Sequence, residues 1–266
     1  MQILVVNDDG ITSPGIWALA GAIQQTGLGN VIIVAPESEQ SGTSMALPPG
    51  ENLTVRPVTP PDPAYNSITA YAFNGTPVGC VLAGVLAGIA PRPDLVVSGI
   101  NRGLNTGTNV LLSGTVGAAM MAALWGIPAM AISQMFIGSA PMPWQTATWA
   151  TVRLLPLLRL LRDQGPVVLN VNVPHLHDPA ELRGFRQTHL SNFFYGHVVD
   201  VDLELPHDAS QQQRLSFRFV RERLPNFAEH TDDGAVRAGY VSVTPLRPTD
   251  NAPLDLQVVL KDLWVD

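Results

Sequence analysis

Two adjacent carboxylates, Asp8 and Asp9, follow a short apolar run at residues 3–6. Such a run is typical of a fully buried β-strand, and ligands of open α/β sheets bind beyond the carboxyl ends of the strands. Two acids side by side at that edge repel each other and are costly to leave half-buried without a partner. A divalent cation such as Mg²⁺ or Mn²⁺, which prefers hard oxygen ligands, relieves both costs. The plainer alternative is a turn in which the two side chains are solvated or cap the next helix.

Polar side chains that could complete such a site follow two later apolar strands. Ser41 lies in a Ser- and Gly-rich loop after the strand predicted at residues 31–35, and Asn101 follows the strand predicted at 94–99. Their neutral oxygens could join a carboxylate pair around Mg²⁺ and leave places for water. Each residue alone also fits a simple turn, so the prediction depends on their joint placement. No histidine precedes residue 175, which argues against a zinc site built on imidazoles in this part of the chain.

The helix predicted at residues 113–125 begins with Ser113, Gly114 and Thr115. A helix N-terminus presents unpaired N–H groups and the positive end of the helix dipole, and a glycine there lets an oxyanion approach closely. Taken alone, these residues also fit an ordinary N-cap followed by small residues that pack against the sheet. Beside a two-carboxylate metal site, they complete a geometry that binds phosphate.

The composition excludes several classes of protein. With 46% hydrophobic and 14% charged residues, the 266-residue chain is typical of one large globular α/β domain, or of one domain with an extension. The net charge of −7 argues against a nucleic-acid duplex as partner, because such binding needs clustered basic residues. The single lysine, Lys261, excludes a P-loop lysine in the first two thirds of the chain. The single cysteine, Cys80, excludes an intramolecular disulfide.

The sequence also predicts where the protein resides. The chain begins directly in a strand without a basic leader, so no signal peptide is expected. The most apolar stretch, residues 114–132, contains Gly126 and Pro128 and is a poor membrane span. We therefore expect a cytoplasmic protein with no membrane partner.

Predicted strands and helices alternate along the first two thirds of the chain. This alternation predicts a Rossmann-like, doubly wound, mostly parallel α/β sheet with helices on both faces, over residues 1–175. Residues 176–266 contain alternating runs at 215–221 and 240–246, so we expect a β-rich C-terminal extension that serves oligomerisation. The predicted strands lie at 2–7, 31–35, 52–56, 69–73, 94–99, 127–133 and 167–173, and the predicted helices at 14–25, 77–90, 113–125 and 144–164.

Two pairs of polar residues in the C-terminal third have plainer interpretations. His175 and His177 flank a predicted strand end without an evident third ligand, so we interpret both as surface histidines. Asp232 and Asp233 precede Gly234, and we interpret them as a solvated helix start rather than as acid partners.

Seven short motifs run through nearly the whole chain: NDDG at residues 7–10, EQSG at 39–42, NGTP at 74–77, SGINRGLN at 98–105, SGTV at 113–116, NVNVP at 170–174 and GYVSVTPL at 239–246. In sequence and order, this series resembles the SurE family, and together the motifs are highly specific. Residues 57–70 and 176–230 are matched least.

The resemblance implies a metal-dependent nucleotide phosphatase that removes 5′- or 3′-phosphate from nucleoside monophosphates and has some activity on short polyphosphate. It also implies a Rossmann-like domain whose C-terminal extension exchanges between subunits, giving a homodimer or homotetramer. By motif match, the ligands of one divalent cation, Mg²⁺ or Mn²⁺, would be Asp8, Asp9, Ser41 and Asn101. The substrate-binding residues expected from the same motifs are Asn74, Thr76, Asn105, Ser113, Gly114 and Thr115.

Three positions depart from the pattern of the family. Gly79 precedes Cys80 where members usually have Asp, and Leu112 precedes the SGTV motif where Tyr is common. Thr108 replaces an acidic residue. Because all four expected metal ligands match, we expect the chemistry to be retained. The departures bear on substrate preference and on the walls of the pocket.

The resulting hypothesis is phosphomonoester hydrolysis at one divalent cation. Asp8 or Asp9 would accept a proton from the attacking water, and the backbone amides of Gly114 and Thr115 would hold phosphate oxygens. Asp8 as a covalent nucleophile is a weaker form of the same hypothesis.

Three other functions remain as alternatives. One is a catalytically impaired family member that acts as a nucleotide-binding or signalling module. Another is a phospho-receiver module, which the acid pair after the first strand suggests, but which needs a lysine after a later strand, where this chain has only Lys261. The third is a dinucleotide-binding reductase, for which the chain lacks a G-x-G-x-x-G motif after the first strand.

Overall fold

The computed structural model describes residues 1–89, 91–202 and 215–249. In these residues a nine-stranded mixed sheet is flanked by helices, and two further strands pair separately. In chain order the elements are β1 (Gln2–Val6), α1 (Pro14–Gln25), β2 (Asn30–Pro36), β3 (Val55–Pro57), β4 (Thr69–Phe73), α2 (Pro77–Leu86), β5 (Leu95–Arg102), α3 (Gly114–Leu124), β6 (Ala129–Gln134), α4 (Trp144–Leu160), β7 (Val168–Val173), β8 (Phe185–Gln187), β9 (Val199–Asp202), β10 (Ser216–Phe219), α5 (Asp232–Arg237) and β11 (Val241–Leu246).

The main sheet has the strand order β3-β4-β2-β1-β5-β6-β7-β11-β8. In this order, all neighbouring strands between β4 and β7 are parallel. At the two sides, β3 is antiparallel to β4, and β11 is antiparallel to β7. The predicted doubly wound, mostly parallel α/β fold is therefore confirmed. Strands β2 and β4 extend the sheet on one side of β1, and strands β5, β6 and β7 extend it on the other side. The topological switch point therefore lies between β1 and β5.

Alternate side chains of β1 build two hydrophobic cores. Ile3 and Val5 belong to the cluster that includes apolar residues of α1 and α4. Leu4 and Val6 belong to the cluster that includes residues of α2 and α3. Because successive side chains of a strand point to opposite faces, one apolar run serves both cores. Each fully buried aliphatic side chain stabilises the fold by about 1.5–3 kcal/mol.

N-capping residues fix the starts of two helices, α2 and α3. The hydroxyl of Thr76 accepts a hydrogen bond from Gly79 N at 3.1 Å, and Pro77 occupies the first helical position of α2. Ser113 Oγ accepts from Val116 N at 3.1 Å and caps α3. Both caps satisfy amides that have no partner within their helix. The predicted helix 77–90 is too long, because α2 ends at Leu86.

Elements beyond residue 175 contribute to the main sheet. β11 pairs with β7, and β8 pairs with β11, whereas β9 and β10 form a separate antiparallel pair. The runs predicted as strands at 215–221 and 240–246 correspond to β10 and β11. The division of the chain at residue 175, and an oligomerisation role for residues 176–266, remain predictions. Lys261 lies outside the described residues.

Two further observations bear on the expectations from sequence. The interpretation of His175 as a surface residue is wrong, because this side chain is buried and its Nδ1 lies 3.0 Å from the carbonyl oxygen of Met135. His177 is exposed.

Across the part of the chain that the structure describes, none of the helices combines the length and apolarity that crossing a membrane requires.

Candidate active site

Asp8 and Asp9 lie at the end of β1, at the switch point of the sheet. Asp8 is buried, with 3% of its surface exposed, and Asp9 is half-buried. The chain turns directly after them at Gly10, whose φ of +92° favours glycine. Asn7 Nδ2 donates to the carbonyl oxygen of Gly10 at 2.9 Å and closes this turn. From β5, the backbone amide of Arg102 donates to Asp9 Oδ2 at 3.2 Å, so the acid pair borders the crevice between β1 and β5.

The first turn of α3 contacts Asp8 directly. The hydroxyl of Thr115 donates a hydrogen bond to Asp8 Oδ1. At Gly114, a Cβ atom would lie 2.9 Å from the Cβ of Asp8 and 3.0 Å from its Oδ2. Glycine is therefore required at this position if the helix N-terminus is to lie this close to the carboxylate. The structure thus brings together the two features that the sequence predicts for a phosphate site, the acid pair and the N-terminus of α3.

Burial dominates the electrostatics of the acid pair. Burial raises the pKa of Asp8, and hydrogen bonds from Thr115 oppose the rise. Burial, and then the charge of Asp8, raise the pKa of Asp9 to about 6. Among the described residues, no lysine or arginine forms an ion pair with either carboxylate. The pair is therefore a partly desolvated concentration of negative charge that hydrogen bonds and the charge of Arg102 offset only in part, and a bound cation would stabilise it.

The loop that carries Ser41 and the end of β5 that carries Asn101 border this acid pair. Gln40 N donates to the carbonyl oxygen of Asp8 at 2.7 Å, which places the loop after β2 beside the end of β1. Ser41 is exposed, and its hydroxyl donates to Glu39 Oε1 at 2.7 Å.

Asn101 lies past an irregularity in β5, where the register with β6 shifts between Ser98 and Asn101. Asn101 Nδ2 donates to the carbonyl oxygen of Gly103 at 3.0 Å, so its Oδ1 is the atom available to a ligand. Its neighbour Arg102 is the residue whose amide reaches Asp9. Both sequence-predicted neutral ligands therefore lie next to a residue whose backbone amide donates a hydrogen bond to the acid pair.

The donor chemistry fits a hard divalent cation. Carboxylate, hydroxyl and amide oxygens are the ligand types that Mg²⁺ and Mn²⁺ prefer. In residues 1–89, 91–202 and 215–249, no group of three or more His, Cys, Asp or Glu side chains could hold a metal ion. Beside the two carboxylates, a cation at this position would therefore take neutral ligands, for which Ser41, Asn101 and water are the candidates.

The other sequence-predicted substrate residues make hydrogen bonds within the protein. Thr76 and Ser113 cap α2 and α3. Asn74 is exposed, and its side chain accepts from Thr54 N at 2.7 Å and donates to the carbonyl oxygen of Asn52 at 2.9 Å. Asn74 therefore positions the chain that enters β3. Its contact with substrate remains a prediction.

Asn105 lies in a buried amide network. Its Nδ2 donates to Ser133 Oγ at 2.9 Å, and its backbone amide donates to Asn172 Oδ1 at 2.8 Å. Its carbonyl oxygen accepts from Asn170 Nδ2 at 2.8 Å and from Asn172 Nδ2 at 3.0 Å. Asn170 and Asn172 occupy alternating positions of an otherwise apolar strand. Buried amides need polar partners, so this pattern was the signal in the sequence that such a network exists.

The interpretation of Asp232 and Asp233 as a solvated helix start is wrong. Both side chains are buried, with 0% and 2% exposed, and they bind the segment that contains Asn105. Burial raises the pKa of both carboxyl groups, against hydrogen bonds that lower it. Two acids at a helix start are typical of exposed positions, so no local signal in the sequence indicated this burial.

The three departures from the family pattern have different surroundings. At Gly79, a Cβ atom would lie 2.5 Å from Phe73 Cε1, so the residue packs against that ring. Leu112 is 49% exposed, and its carbonyl oxygen accepts from Ser44 N at 3.2 Å. Thr108 donates through its hydroxyl to the carbonyl oxygen of Phe193 at 3.0 Å.

A cavity of about 610 Å³ lies elsewhere, between residues 189–198 and 223–231. Its walls include His189, Phe193 and His230, and none of the sequence-predicted site residues lines it. The candidate site is therefore defined by the chemistry at the edge of the sheet rather than by this cavity.

Comparisons with known proteins agree with this geometry. The family model described as Survival protein SurE matches residues 3–197. The 5′/3′-nucleotidase SurE of Photorhabdus laumondii is 37% identical over 266 residues, which cover 100% of this chain and 96% of that protein. The 5′-nucleotidase SurE of Desulfitobacterium hafniense is 36% identical over 247 residues, which cover 92% of this chain and 90% of that protein. The crystal structure of the SurE protein from Aquifex aeolicus has a TM-score of 0.74 and 32% identity, and the match covers 99% of each chain. The chain belongs to the SurE family.

Proposed function

We propose that this protein is a metal-dependent phosphatase that hydrolyses nucleoside 5′- and 3′-monophosphates, and also short-chain polyphosphate. The observation that carries the proposal is the contact between the acid pair at the end of β1 and the first turn of α3. The names of the two relatives, 5′-nucleotidase and 5′/3′-nucleotidase, support the substrate class.

The residues that would hold one divalent cation, Mg²⁺ or Mn²⁺, are Asp8, Asp9, Ser41 and Asn101. Their oxygen donors and the concentrated negative charge of the acid pair support this assignment. When bound, the cation would offset the charge of the phosphate and make water a better nucleophile at neutral pH.

The first turn of α3 provides the binding position for the phosphate. Gly114 has no side chain to keep an anion from the helix N-terminus, where backbone N–H groups and the helix dipole favour negative charge. The hydroxyl of Thr115 is already bonded to Asp8, and we assign the backbone amide of Gly114 to a phosphate oxygen.

The two carboxylates have different surroundings and therefore different roles in the proposal. Asp8 is buried and fixed by Thr115, which suits a ligand of constant geometry. Asp9 is half-buried, and within the described residues its one hydrogen-bond donor is the backbone amide of Arg102 at 3.2 Å, so it can reach a water in the crevice. We assign to Asp9 the acceptance of a proton from the attacking water.

The proposed setting is cytoplasmic, with a homodimer or homotetramer as the assembly. A second candidate function, a catalytically impaired nucleotide-binding or signalling module, is favoured by the departures at Gly79, Thr108 and Leu112. The two functions differ in one property, which is turnover.

The test is phosphate release from a panel of nucleoside 5′- and 3′-monophosphates and from short-chain polyphosphate, with EDTA, Mg²⁺ or Mn²⁺ added in parallel. We expect release that EDTA abolishes and that one of the cations restores. Folded protein that binds nucleotides but releases no phosphate with either metal would instead establish the binding module.

A further inference from the structure

The segment between β5 and α3, residues 103–113, joins two parts of the candidate site. β5 carries Asn101 before this segment, and α3 begins with Gly114 directly after it. Asn105, within the segment, is one of the residues expected to contact substrate. Whatever fixes the segment therefore also fixes the relation between the metal ligands and the phosphate position.

Asp232, at the start of α5, fixes this segment through backbone amides. Its Oδ2 accepts from Gly107 N at 2.8 Å. Its Oδ1 accepts from Ser191 N at 2.9 Å and from Asp233 N at 2.9 Å. All three partners are backbone N–H groups, which can only donate, so this position requires a side chain that accepts at both oxygens.

Asp233 fixes the same segment through hydroxyl groups. Thr106 Oγ1 donates to Asp233 Oδ1 at 2.9 Å, and Ser191 Oγ donates to Asp233 Oδ2 at 2.7 Å. A hydroxyl group can donate or accept, so these two partners can reverse their roles. The two neighbouring acids therefore place different demands on the side chain.

The backbone of the segment is shaped for this close contact. Gly107 has a φ of +58°, and a Cβ atom there would lie 2.6 Å from the carbonyl oxygen of Phe193 and 2.7 Å from Ser191 Oγ. Thr108 N donates to the same Phe193 carbonyl oxygen at 3.1 Å. Residues 191–193 and the acid pair of α5 thus hold residues 106–108 on one side, while the Asn170–Asn172 network holds Asn105 on the other.

We propose that Asp232 and Asp233 are positioning residues that hold Asn105 and its neighbours in the geometry that recognises the nucleotide. This inference rests on the proposed nucleotidase function. Burying two adjacent carboxylates is costly, because each loses hydration and the two charges repel each other. The hydrogen bonds of Asp232 and Asp233 to Thr106 and Gly107 give this costly arrangement a function, because they select one conformation of the segment.

The test compares Asp232→Asn with Asp233→Asn. In Asp232→Asn, the new NH₂ group faces a backbone N–H donor whichever way the amide is turned. In Asp233→Asn, both hydroxyl partners can adapt. We expect KM for the best nucleoside monophosphate to rise about tenfold in Asp232→Asn, because a hydrogen bond to a charged group is lost. We expect KM to rise less in Asp233→Asn than in Asp232→Asn, because asparagine can still bond to both hydroxyl groups, and we expect the affinity for Mn²⁺ to remain unchanged in both variants.

A matched pair of threonine variants tests the same inference even if the acid variants do not fold. The pair consists of Thr106→Val and its control, Thr151→Val. Thr106→Val removes only the hydroxyl that donates to Asp233, and we expect KM to rise several-fold. Thr151 is also buried, and its hydroxyl donates to the carbonyl oxygen of Ala147 within α4. Thr151→Val removes a buried hydroxyl group in the same way but far from the segment, so it should leave KM unchanged.

Hydrogen exchange adds a readout that needs no turnover. Amide exchange in residues 105–110 should accelerate in Asp232→Asn and Thr106→Val but not in Thr151→Val. If the wild type is active and KM is unchanged in both Asp232→Asn and Thr106→Val, the inference is overturned. If Asp232→Asn does not fold, Thr106→Val decides. An inactive wild type would contradict the proposed function. In that case hydrogen exchange alone tests the inference, and unchanged exchange in Asp232→Asn and Thr106→Val would overturn it.

Discussion

The hydroxyl of Thr115, in the first turn of α3, donates a hydrogen bond to Oδ1 of Asp8 at the end of β1. This bond joins the proposed phosphate position to the proposed metal position across 107 positions of sequence. It also orients the more deeply buried of the two carboxylates.

Removing this donor should weaken catalysis without unfolding the protein. Thr115→Val keeps the shape of the side chain but leaves Asp8 without its hydroxyl partner. We expect kcat/KM to fall about tenfold, because a hydrogen bond to a charged group contributes roughly 1.5–3 kcal/mol. Steady-state kinetics at saturating metal, together with a thermal melt, would measure this. Wild-type kinetics in a well-folded variant would show that Asp8 is held in place by other contacts.

Filling the space at Gly114 should block phosphate binding. In Gly114→Ala, the new methyl group would lie 2.9 Å from Asp8 Cβ, so the helix start must move away from the carboxylate. We expect activity to fall by at least about tenfold, because misplacement by a fraction of an ångström is costly in an active site.

The matched control for that variant is Gly50→Ala. Gly50 has no neighbouring atom within 4 Å of an added Cβ, and it lies outside the candidate site. Its replacement should leave phosphate release unchanged. Equal activity in the two alanine variants would argue against a role for the first turn of α3.

Asp94 lies directly before β5, at the end of the sheet opposite the candidate site, and it makes stability depend on pH. Asp94 Oδ2 accepts from Gln2 N at 2.8 Å, and this hydrogen bond, with smaller contributions from the N-terminal charge and Arg162, lowers the pKa of Asp94. A carboxyl group whose pKa is lowered in the folded state stabilises the protein above its unfolded pKa, and this contribution is lost as the pH falls through the folded value.

Asp94→Asn should therefore be less stable than wild type at pH 7, by less than about 1 kcal/mol because the site is solvent-exposed. The difference should shrink as the pH falls below the ordinary aspartate pKa of 3.8. Urea denaturation of both proteins across this range would measure it. A difference that grows on acidification would contradict the assigned direction of the shift.

The sequence predicted the parts of this protein that depend on local pattern. The apolar run before Asp8 and the helix start at Ser113 are local signals, and both lie where expected. Burial of Asp232 depends on contacts with Gly107 and Ser191, which are distant in sequence, so no periodicity could indicate it. The irregularity in β5 was likewise not predicted, because the strand pattern ends at Gly99 while pairing continues to Arg102.

The central claim is that the acid pair forms a metal site, and titration of the protein with Mn²⁺ after chelation tests it most directly. Wild type should bind one Mn²⁺ per chain. Asp8→Asn should lose this binding while keeping its fold, because asparagine retains an acceptor for Thr115, and it should lose more than about a hundredfold in phosphate release. Equal Mn²⁺ affinity in wild type and Asp8→Asn would contradict the account.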